Sequence, residues 1–357
     1  MTTAITEDEA ALYDRQIRLW GLEAQQKMRN ATVLVVRLRG VATETIKNIV
    51  LAGIGKLIVI DDAIVQPEDL NAGFFFRDED INAKKRVDAA KPHIQSLNPL
   101  VAVEVSHDLS VLTNEDTLTE LLREVDLVCL TDTDQATAIR VNEVSRKLGK
   151  KFYCGGSFGL SGYVFCDLGE HQHVAAPRSI AKEGATSRLE QFKTSYPPLS
   201  RALQHSWKDT TSNATKVLRP TTVFSILACW EYQTQHGKPP SSESAANDLE
   251  SIANRLLRKG QVRQKVCTSV PREMIEYLST RAALEWSPSC AVVGGMLGQD
   301  ILKALAAREP PMANFFFFDG QTCNGTVVRM SMDAAPQPAP PPLSSAGVAE
   351  TTVLEID

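Results

Sequence analysis

The stretch TVLVVRLRGVATETIKNIVLAGIGKLIVIDD, residues 32–62, decides the fold of this chain. It begins with the apolar run Val33–Val36, which favours a strand buried on both faces of a parallel sheet. After Gly40, apolar residues recur at helical spacing. A second apolar run, Leu57–Ile60, leads to Asp61, which follows Gly40 by 21 residues, about where a dinucleotide-binding unit keeps its ribose-binding acid. The stretch therefore predicts a strand, a helix and a second strand around a nucleotide site.

The loop between the first strand and the helix departs from the pattern of a nucleotide site. A phosphate approaches such a turn only where the backbone is bare, and three glycines usually provide that. Only Gly40 remains here, because Arg37 occupies the place of the first glycine and Ala42 and Thr43 that of the third. Two interpretations stay open, a variant nucleotide site or a fold kept after its site was lost.

Composition and charge narrow the class of protein. A length of 357 residues favours about two domains, and 43% apolar with 23% charged residues is typical of a globular chain. The net charge of −5 argues against a nucleic-acid partner. The N-terminal residues lack the pattern of a signal peptide, and no apolar run is long enough to span a bilayer. We expect no nucleic-acid partner and no membrane association.

The seven cysteines are scattered, odd in number and mostly set in apolar stretches, which is typical of reduced, intracellular proteins. No C-x-x-C pair exists, and His171 with His173 alone would make a poor metal site, so we predict no metal site. Cys229 lies in the apolar segment FSILACWEY, and no histidine or basic loop can be paired with Cys267. The sequence therefore predicts no thioester chemistry on this chain.

The order of strand and helix patterns predicts the organisation of the chain. Residues 1–170 alternate between strand and helix and predict the first part of a doubly wound, mostly parallel, Rossmann-like α/β sheet. Residues 171–287 predict a mostly helical insertion, and residues 288–332 a return to the sheet. The helix of that return has a small centre, Gly294-Gly295, that favours close packing on the sheet. Residues 333–357 are Pro/Ala-rich and predict a disordered tail.

Glycine and phenylalanine clusters carry further structural predictions. Gly155-Gly156 is typical of a turn between two strands rather than of a phosphate-binding loop. The runs Phe74–Phe76 and Phe315–Phe318 predict residues shared between the core and a dimer interface, since successive strand residues alternate faces.

Several separated motifs occur in the order found in one enzyme family. They are Tyr13–Gly21 (YDRQIRLWG), Gly40 with its helix, Ile60-Asp61, Asp69-Leu70-Asn71, Leu97-Asn98-Pro99 and Pro288–Gln299. By these motifs most of residues 12–332 resembles the ThiF/MoeB-like adenylating fold of ubiquitin-like-protein activating enzymes. The length, the motif Leu168–His171 and the lack of a catalytic-cysteine domain are most similar to the smaller, non-catalytic subunits of SUMO-activating enzymes.

The resemblance also shows what this chain lacks. Active members adenylate the C-terminal glycine of the modifier with ATP and magnesium, and an Asn-Arg-Gln run supplies an arginine to the ATP phosphates. This chain has Asn71-Ala72-Gly73 at the matching place. We therefore expect no cofactor on this chain and ATP with magnesium in a partner subunit. We expect Asp61 to serve as a helix or turn partner, and Lys85 matches a family lysine. The degenerate site would comprise Arg37, Gly40, Asp61, Ala72, Gly73 and Lys85.

Arg15 is the one catalytic candidate. In the family, the arginine of the Tyr-Asp-Arg-Gln segment reaches from one half of the dimer into the nucleotide site of the other, and the resemblance implies the same role here. A guanidinium stays charged at any working pH and donates two parallel hydrogen bonds to phosphate oxygens. The alternative is a solvated position on an amphipathic helix over Leu12–Met28, in which Arg18 pairs with Asp14 at i,i+4.

The resemblance thus implies a regulatory, catalytically incomplete subunit of a heterodimeric SUMO-activating enzyme. Its expected partners are a homologous catalytic subunit, which carries the nucleotide site and the catalytic cysteine, and a SUMO-type modifier; the expected location is the nucleus, with the cytoplasm as a second location. Three alternatives stay open. They are an NAD-dependent oxidoreductase, a self-sufficient homodimeric adenylating enzyme, and the regulatory subunit of another split modifier-activating enzyme.

Overall fold

The computed structural model of the protein describes residues 5–175 and 190–333. Its strands are β1 (Thr32–Val36), β2 (Lys56–Ile60), β3 (Ala102–Ser106), β4 (Leu127–Thr131), β5 (Lys151–Phe158), β6 (Ser161–Asp167), β7 (Glu170–Ala175), β8 (Glu190–Ser195), β9 (Phe315–Asp319) and β10 (Asn324–Val328). Its helices are α1 (Glu7–Leu12), α2 (Asp14–Trp20), α3 (Leu22–Arg29), α4 (Gly40–Leu51), α5 (Arg86–Leu97), α6 (Glu115–Arg123), α7 (Gln135–Lys147), α8 (Leu199–Ala202), α9 (Ser212–Val217), α10 (Pro220–His236), α11 (Ala246–Lys259), α12 (Arg272–Arg281) and α13 (Ser287–Ala306).

Eight strands form one sheet in the order β10-β9-β6-β5-β4-β1-β2-β3. The strands from β3 to β5 are parallel, and β6, β9 and β10 extend the sheet in antiparallel fashion. The predicted doubly wound, Rossmann-like sheet is therefore confirmed. The chain winds outward from β1 to β3 and then returns to place β4 on the other side of β1. Folds of this kind bind ligands beyond the carboxyl ends of such a pair of strands.

Strand β1 shows why its sequence is apolar at every position from Val33 to Val36. Val33 and Val35 belong to a core layer that includes α4 and α13, whereas Leu34 and Val36 belong to the layer on the opposite face, with α7 and α10. Side chains of a strand alternate between faces, so a strand covered on both sides must be apolar throughout.

The prediction of a single helix over Leu12–Met28 is wrong. Three short helices replace it, with breaks at Tyr13 and at Gly21, whose φ is 90°. The tertiary structure causes the first break, because the ring of Tyr13 is buried over Gly53, where an added Cβ would lie 2.5 Å from it. Leu12 is consequently 62% exposed rather than part of an apolar face.

The glycine pairs also differ from expectation. Gly155 and Gly156 lie inside β5 rather than in a turn, and a Cβ on Gly156 would lie 2.9 Å from an Asp132 carboxylate oxygen. Gly294 approaches helix α4 instead of the sheet, whereas Gly295 faces open space. Close contacts between distant segments set both arrangements, and local sequence does not reveal them.

The phenylalanine runs divide unequally between core and surface. Phe315–Phe318 are all buried and alternate between the two core layers, so their predicted share in an interface is wrong. Strand β9 is covered on both faces, which leaves no side for a partner. Phe75 and Phe76 are buried, and Phe74 is 41% exposed.

The segment between β6 and α13 combines strands with helices. Strands β7 and β8 form a separate antiparallel pair, and helices α8–α12 follow. Helix α10 packs against β6 and β9 of the main sheet. The predicted tail lies outside the described residues, apart from residue 333. The described part of the chain contains no helix of the length and apolarity that a membrane crossing requires.

Candidate functional site

Two strained turns mark the point between β1 and β4. Arg37 follows β1 with a φ of 66°, and Asp132 follows β4 with a φ of 49°. Residues with a Cβ rarely adopt this left-handed conformation, which glycine adopts freely. The hydroxyl of Thr131 holds the turns together, donating to the carbonyl of Arg37 at 2.8 Å and contacting that of Val36 at 3.1 Å. The backbone thus keeps the tight turn of a nucleotide site without the glycines.

The start of α4 is closed by residues of this chain. The amide of Gly40 donates to a carboxylate oxygen of Glu285 at 3.0 Å. A Cβ on Gly40 would lie 2.6 Å from the Cβ of Ala72 and 2.8 Å from the sulfur of Cys290. The one glycine that remains in the loop is therefore required for internal packing.

Glu285 pairs with Arg39 beside this glycine. Its second oxygen, Oε2, lies 3.5 Å from Nε of Arg39 and has no hydrogen-bond partner among the described residues. Burial raises the pKa of Glu285 to about 7, while the guanidinium of Arg39 opposes that rise. Burial would lower the pKa of Arg39, but the carboxylates of Glu285 and Asp132 raise it overall.

Sequence reasoning missed Glu285 and Arg39. They lie 246 positions apart in the sequence, and no short pattern links an acid before α13 with a cation before α4. The available signal was the charge of Arg39 in a loop that is glycine-rich in nucleotide-binding relatives of this fold.

Asp61 accepts hydrogen bonds from backbone amides near the ends of β1 and β2, as predicted for a turn partner. It is fully buried, and its carboxylate accepts from the amides of Leu38 at 2.7 Å and Ala63 at 2.9 Å. Arg86 lies 3.5 Å from Asp61 and makes two hydrogen bonds of 2.8 Å to Asp69. The acid at the ribose position therefore stabilises the fold.

The remaining residues of the degenerate site also make local contacts. Lys85 donates to the carbonyl of Asp62 at 2.8 Å. Ala72 packs against Gly40, and a Cβ on Gly73 would lie 2.6 Å from the ring of Phe76. Ala72 therefore lies beside the loop, Lys85 binds the backbone that follows β2, and Gly73 is required by a tight turn.

The position beyond β1 and β4 carries acidic as well as basic side chains. A cavity of about 410 Å³ lies beyond β1 and β4 and is lined in part by Arg37, Arg39, Asp132 and Ser157. One carboxylate oxygen of Asp132 accepts from the Ser157 amide at 3.2 Å, and the other has no partner among the described residues. Burial raises the pKa of Asp132. Asp132 in this cavity and Glu285 at the start of α4 are thus two acidic groups at the position where phosphates would bind.

Arg15 lies on α2, well separated in sequence from this loop. Its side chain is exposed and makes no hydrogen bond or ion pair within residues 5–175 and 190–333. Arg18, one turn later, pairs with Asp14 at 3.0 Å, which confirms the predicted i,i+4 pair. Of these two arginines, Arg15 is therefore the one available to a phosphate from outside the chain.

The two cysteines considered as nucleophiles are both buried. Burial raises the pKa of Cys229 far above the ordinary range of a thiol. Burial also raises the pKa of Cys267, whose sulfur contacts the carbonyl of Ser269 at 3.4 Å. A thiol attacks as the thiolate, so both environments favour a packing role.

Comparison with known proteins agrees with this geometry. The ThiF family model matches residues 13–339. SUMO-activating enzyme subunit 1 of Homo sapiens is 34% identical over 346 residues, which cover 90% of this chain and 95% of that protein. The Xenopus laevis protein of the same name is 35% identical, with 90% and 96% covered. The crystal structure of SeMet PaaA is similar in fold, with a TM-score of 0.57 at 15% identity over 94% of this chain and 77% of that one. The chain therefore belongs to the ThiF family.

Proposed function

We propose that this chain is the non-catalytic subunit of a heterodimeric SUMO-activating enzyme. The observation that carries the proposal is the similarity over about nine-tenths of the chain to SUMO-activating enzyme subunit 1. The position between β1 and β4, where Glu285 and Asp132 oppose a bound phosphate, supports a subunit that binds no nucleotide of its own. ATP and magnesium then belong to a homologous catalytic partner.

The reaction takes place in the partner's site. The C-terminal carboxylate of the modifier attacks the α-phosphorus of ATP, the bond to the leaving pyrophosphate breaks, and an acyl-adenylate forms. A cysteine thiolate of the partner then attacks the acyl carbon and AMP leaves, which yields a thioester. Arg15 extends from this chain into that site and donates hydrogen bonds to phosphate oxygens as pyrophosphate leaves.

ATP–pyrophosphate exchange tests this function directly. The full chain alone is expected to catalyse no exchange, and addition of the catalytic partner with SUMO is expected to establish both exchange and thioester formation. Exchange by the chain alone would favour a self-sufficient adenylating enzyme. Tight binding of a nicotinamide cofactor to the pure chain would favour an oxidoreductase instead.

Two finer points belong to the same proposal. Charging of a different modifier by the co-purified heterodimer would identify the chain as the regulatory subunit of another split activating enzyme. By resemblance to its relatives, we place the heterodimer in the nucleus. Imaging of the tagged full chain tests this, and exclusion from the nucleus would contradict it.

A further inference from the structure

Glu285 connects the segment before α13 to the start of α4. One carboxylate oxygen accepts from the amide of Gly40 at 3.0 Å, and the other lies 3.5 Å from Nε of Arg39. Only 7% of the residue is exposed. A carboxylate buried to this degree is costly unless charge and hydrogen bonds compensate for lost hydration, and these two contacts provide part of that compensation.

The place that this carboxylate occupies is one that suits an oxyanion. The first amides of a helix point outward and carry a partial positive charge, so helix N-termini bind phosphates in nucleotide-binding folds. Helix α4 is 12 residues long and follows β1 at the point where the fold binds its ligand. Here the negative group comes from the chain itself.

Arg39 provides the second half of this arrangement. Its guanidinium contacts the carbonyl of Ala283 at 3.4 Å, two residues before Glu285, so it binds the segment as well as the carboxylate. The Oε2 atom of Glu285 has no hydrogen-bond donor within the described residues, which leaves the charge of Arg39 as its compensation. The pair resembles a guanidinium bound to a phosphate oxygen, with both members supplied by one chain.

We propose that the Glu285 carboxylate is the permanent occupant of the phosphate position at the start of α4, so that the fold forms without nucleotide. The inference deepens the proposed function, because it explains how a nucleotide-binding fold persists in a subunit that binds none. It makes Glu285 a positioning residue for the loop from Arg37 to Gly40.

Chemical rescue tests this inference. Glu285→Ala removes a group of the size of acetate and leaves Gly40 and Arg39 without their anion. Thermal unfolding of the full chain at pH 8 is expected to show a midpoint lower than wild type by at least about 5 °C. Sodium acetate is expected to restore about half of that loss or more, whereas sodium chloride at the same concentration restores none. An equal response to both salts would overturn the proposal.

Glu285→Gln provides a matched control of the same shape. Its amide oxygen still accepts from Gly40, so slow hydrogen exchange of that amide is expected to persist. Its midpoint at pH 8 is expected to differ from wild type, because Arg39 loses its charge partner and the cost of burying a carboxylate is removed as well, and acetate is expected to have no effect, because the space is filled. A wild-type midpoint for this variant would overturn the role of charge, even if Glu285→Ala fails to fold. Neither measurement uses the partner or the modifier, so failure here is distinguishable from failure of the proposed function.

Discussion

The side-chain amide of Asn98 donates a hydrogen bond of 2.8 Å to the hydroxyl of Tyr13. The same amide donates to the carbonyl of Val50 at 2.9 Å, at the end of α4. Two of the motifs that identify the family, Tyr13–Gly21 and Leu97-Asn98-Pro99, thus meet in a buried polar contact. That contact attaches the residue before α2, and with it the helix that carries Arg15, to the end of α4.

Asn98→Ala is expected to lower the free energy of unfolding by about 2–4 kcal/mol, because it leaves the buried Tyr13 hydroxyl without its donor and removes one of the two hydrogen bonds to the Val50 carbonyl, which then keeps only that from the Gly53 amide. Tyr13→Phe removes one hydrogen bond and keeps the ring over Gly53, so a loss of about 0.5–1.5 kcal/mol is expected. Urea unfolding of the full chain measures the loss of unfolding free energy in both variants. Equal losses for the two variants would show that the contact with Val50 contributes little.

Arg15→Ala is expected to leave the heterodimer assembled and to slow ATP–pyrophosphate exchange by about 10²–10³-fold, as removal of a transition-state hydrogen-bond donor typically does. Arg15→Lys keeps the charge without the planar pair of donors and is expected to recover only part of the rate. Arg18→Ala is the matched control from the same helix. It removes an exposed ion pair and is expected to change the rate by less than about twofold. Exchange that stays at the wild-type rate in Arg15→Ala at subsaturating ATP would remove Arg15 from the mechanism.

Gly294 and Gly295 are adjacent in α13 but differ in their surroundings. A Cβ on Gly294 would lie 2.6 Å from both the Cβ of Glu44 and the carbonyl oxygen of Val41. Gly294→Ala is therefore expected to cost about 1–3 kcal/mol through overpacking. Gly295→Ala meets no atom within 4 Å and is expected to stabilise by about 0.5–1 kcal/mol through helix propensity. Denaturant unfolding of the two variants measures the change in the free energy of unfolding. Changes of the same sign in both variants would contradict the close approach of α13 to α4.

His171 predicts a defined pH dependence of stability. The residue is 5% exposed, and burial, with the nearby charge of Lys151, lowers its pKa to about 4. Between pH 6.5 and 4 the unfolded chain binds a proton that the folded chain does not, so this contribution to stability is present above pH 6.5 and is lost as pH falls through that window. His171→Phe should therefore flatten the curve of unfolding free energy by up to about 3 kcal/mol between pH 7 and pH 4. Parallel curves of unfolding free energy against pH for the variant and wild type would contradict this role of His171.

Sequence patterns correctly predicted those parts of the structure that depend on residues close together in the sequence. The run from Val33 to Val36 predicts a strand buried on both faces because every position is apolar. Asp14 and Arg18 pair because a helix brings residues four apart onto one face. The helix breaks at Tyr13 and Gly21 and the strand position of Gly155 were not predictable in this way. Tyr13 lies over Gly53, Gly21 lies beside Arg308 and Gly155 lies beside Leu297, and these contacts exist only in the folded chain.

The sequence by itself determined the fold and the family, because buried strands require continuous apolar runs and the family motifs recur in a set order. It also showed that the loop after β1 keeps only one, Gly40, of the three usual glycines. Only the tertiary structure decided what replaces the nucleotide there. The packing of α13 against α4 brings the carboxylate of Glu285 to the amide of Gly40, and a contact between residues so far apart in sequence has no local signature.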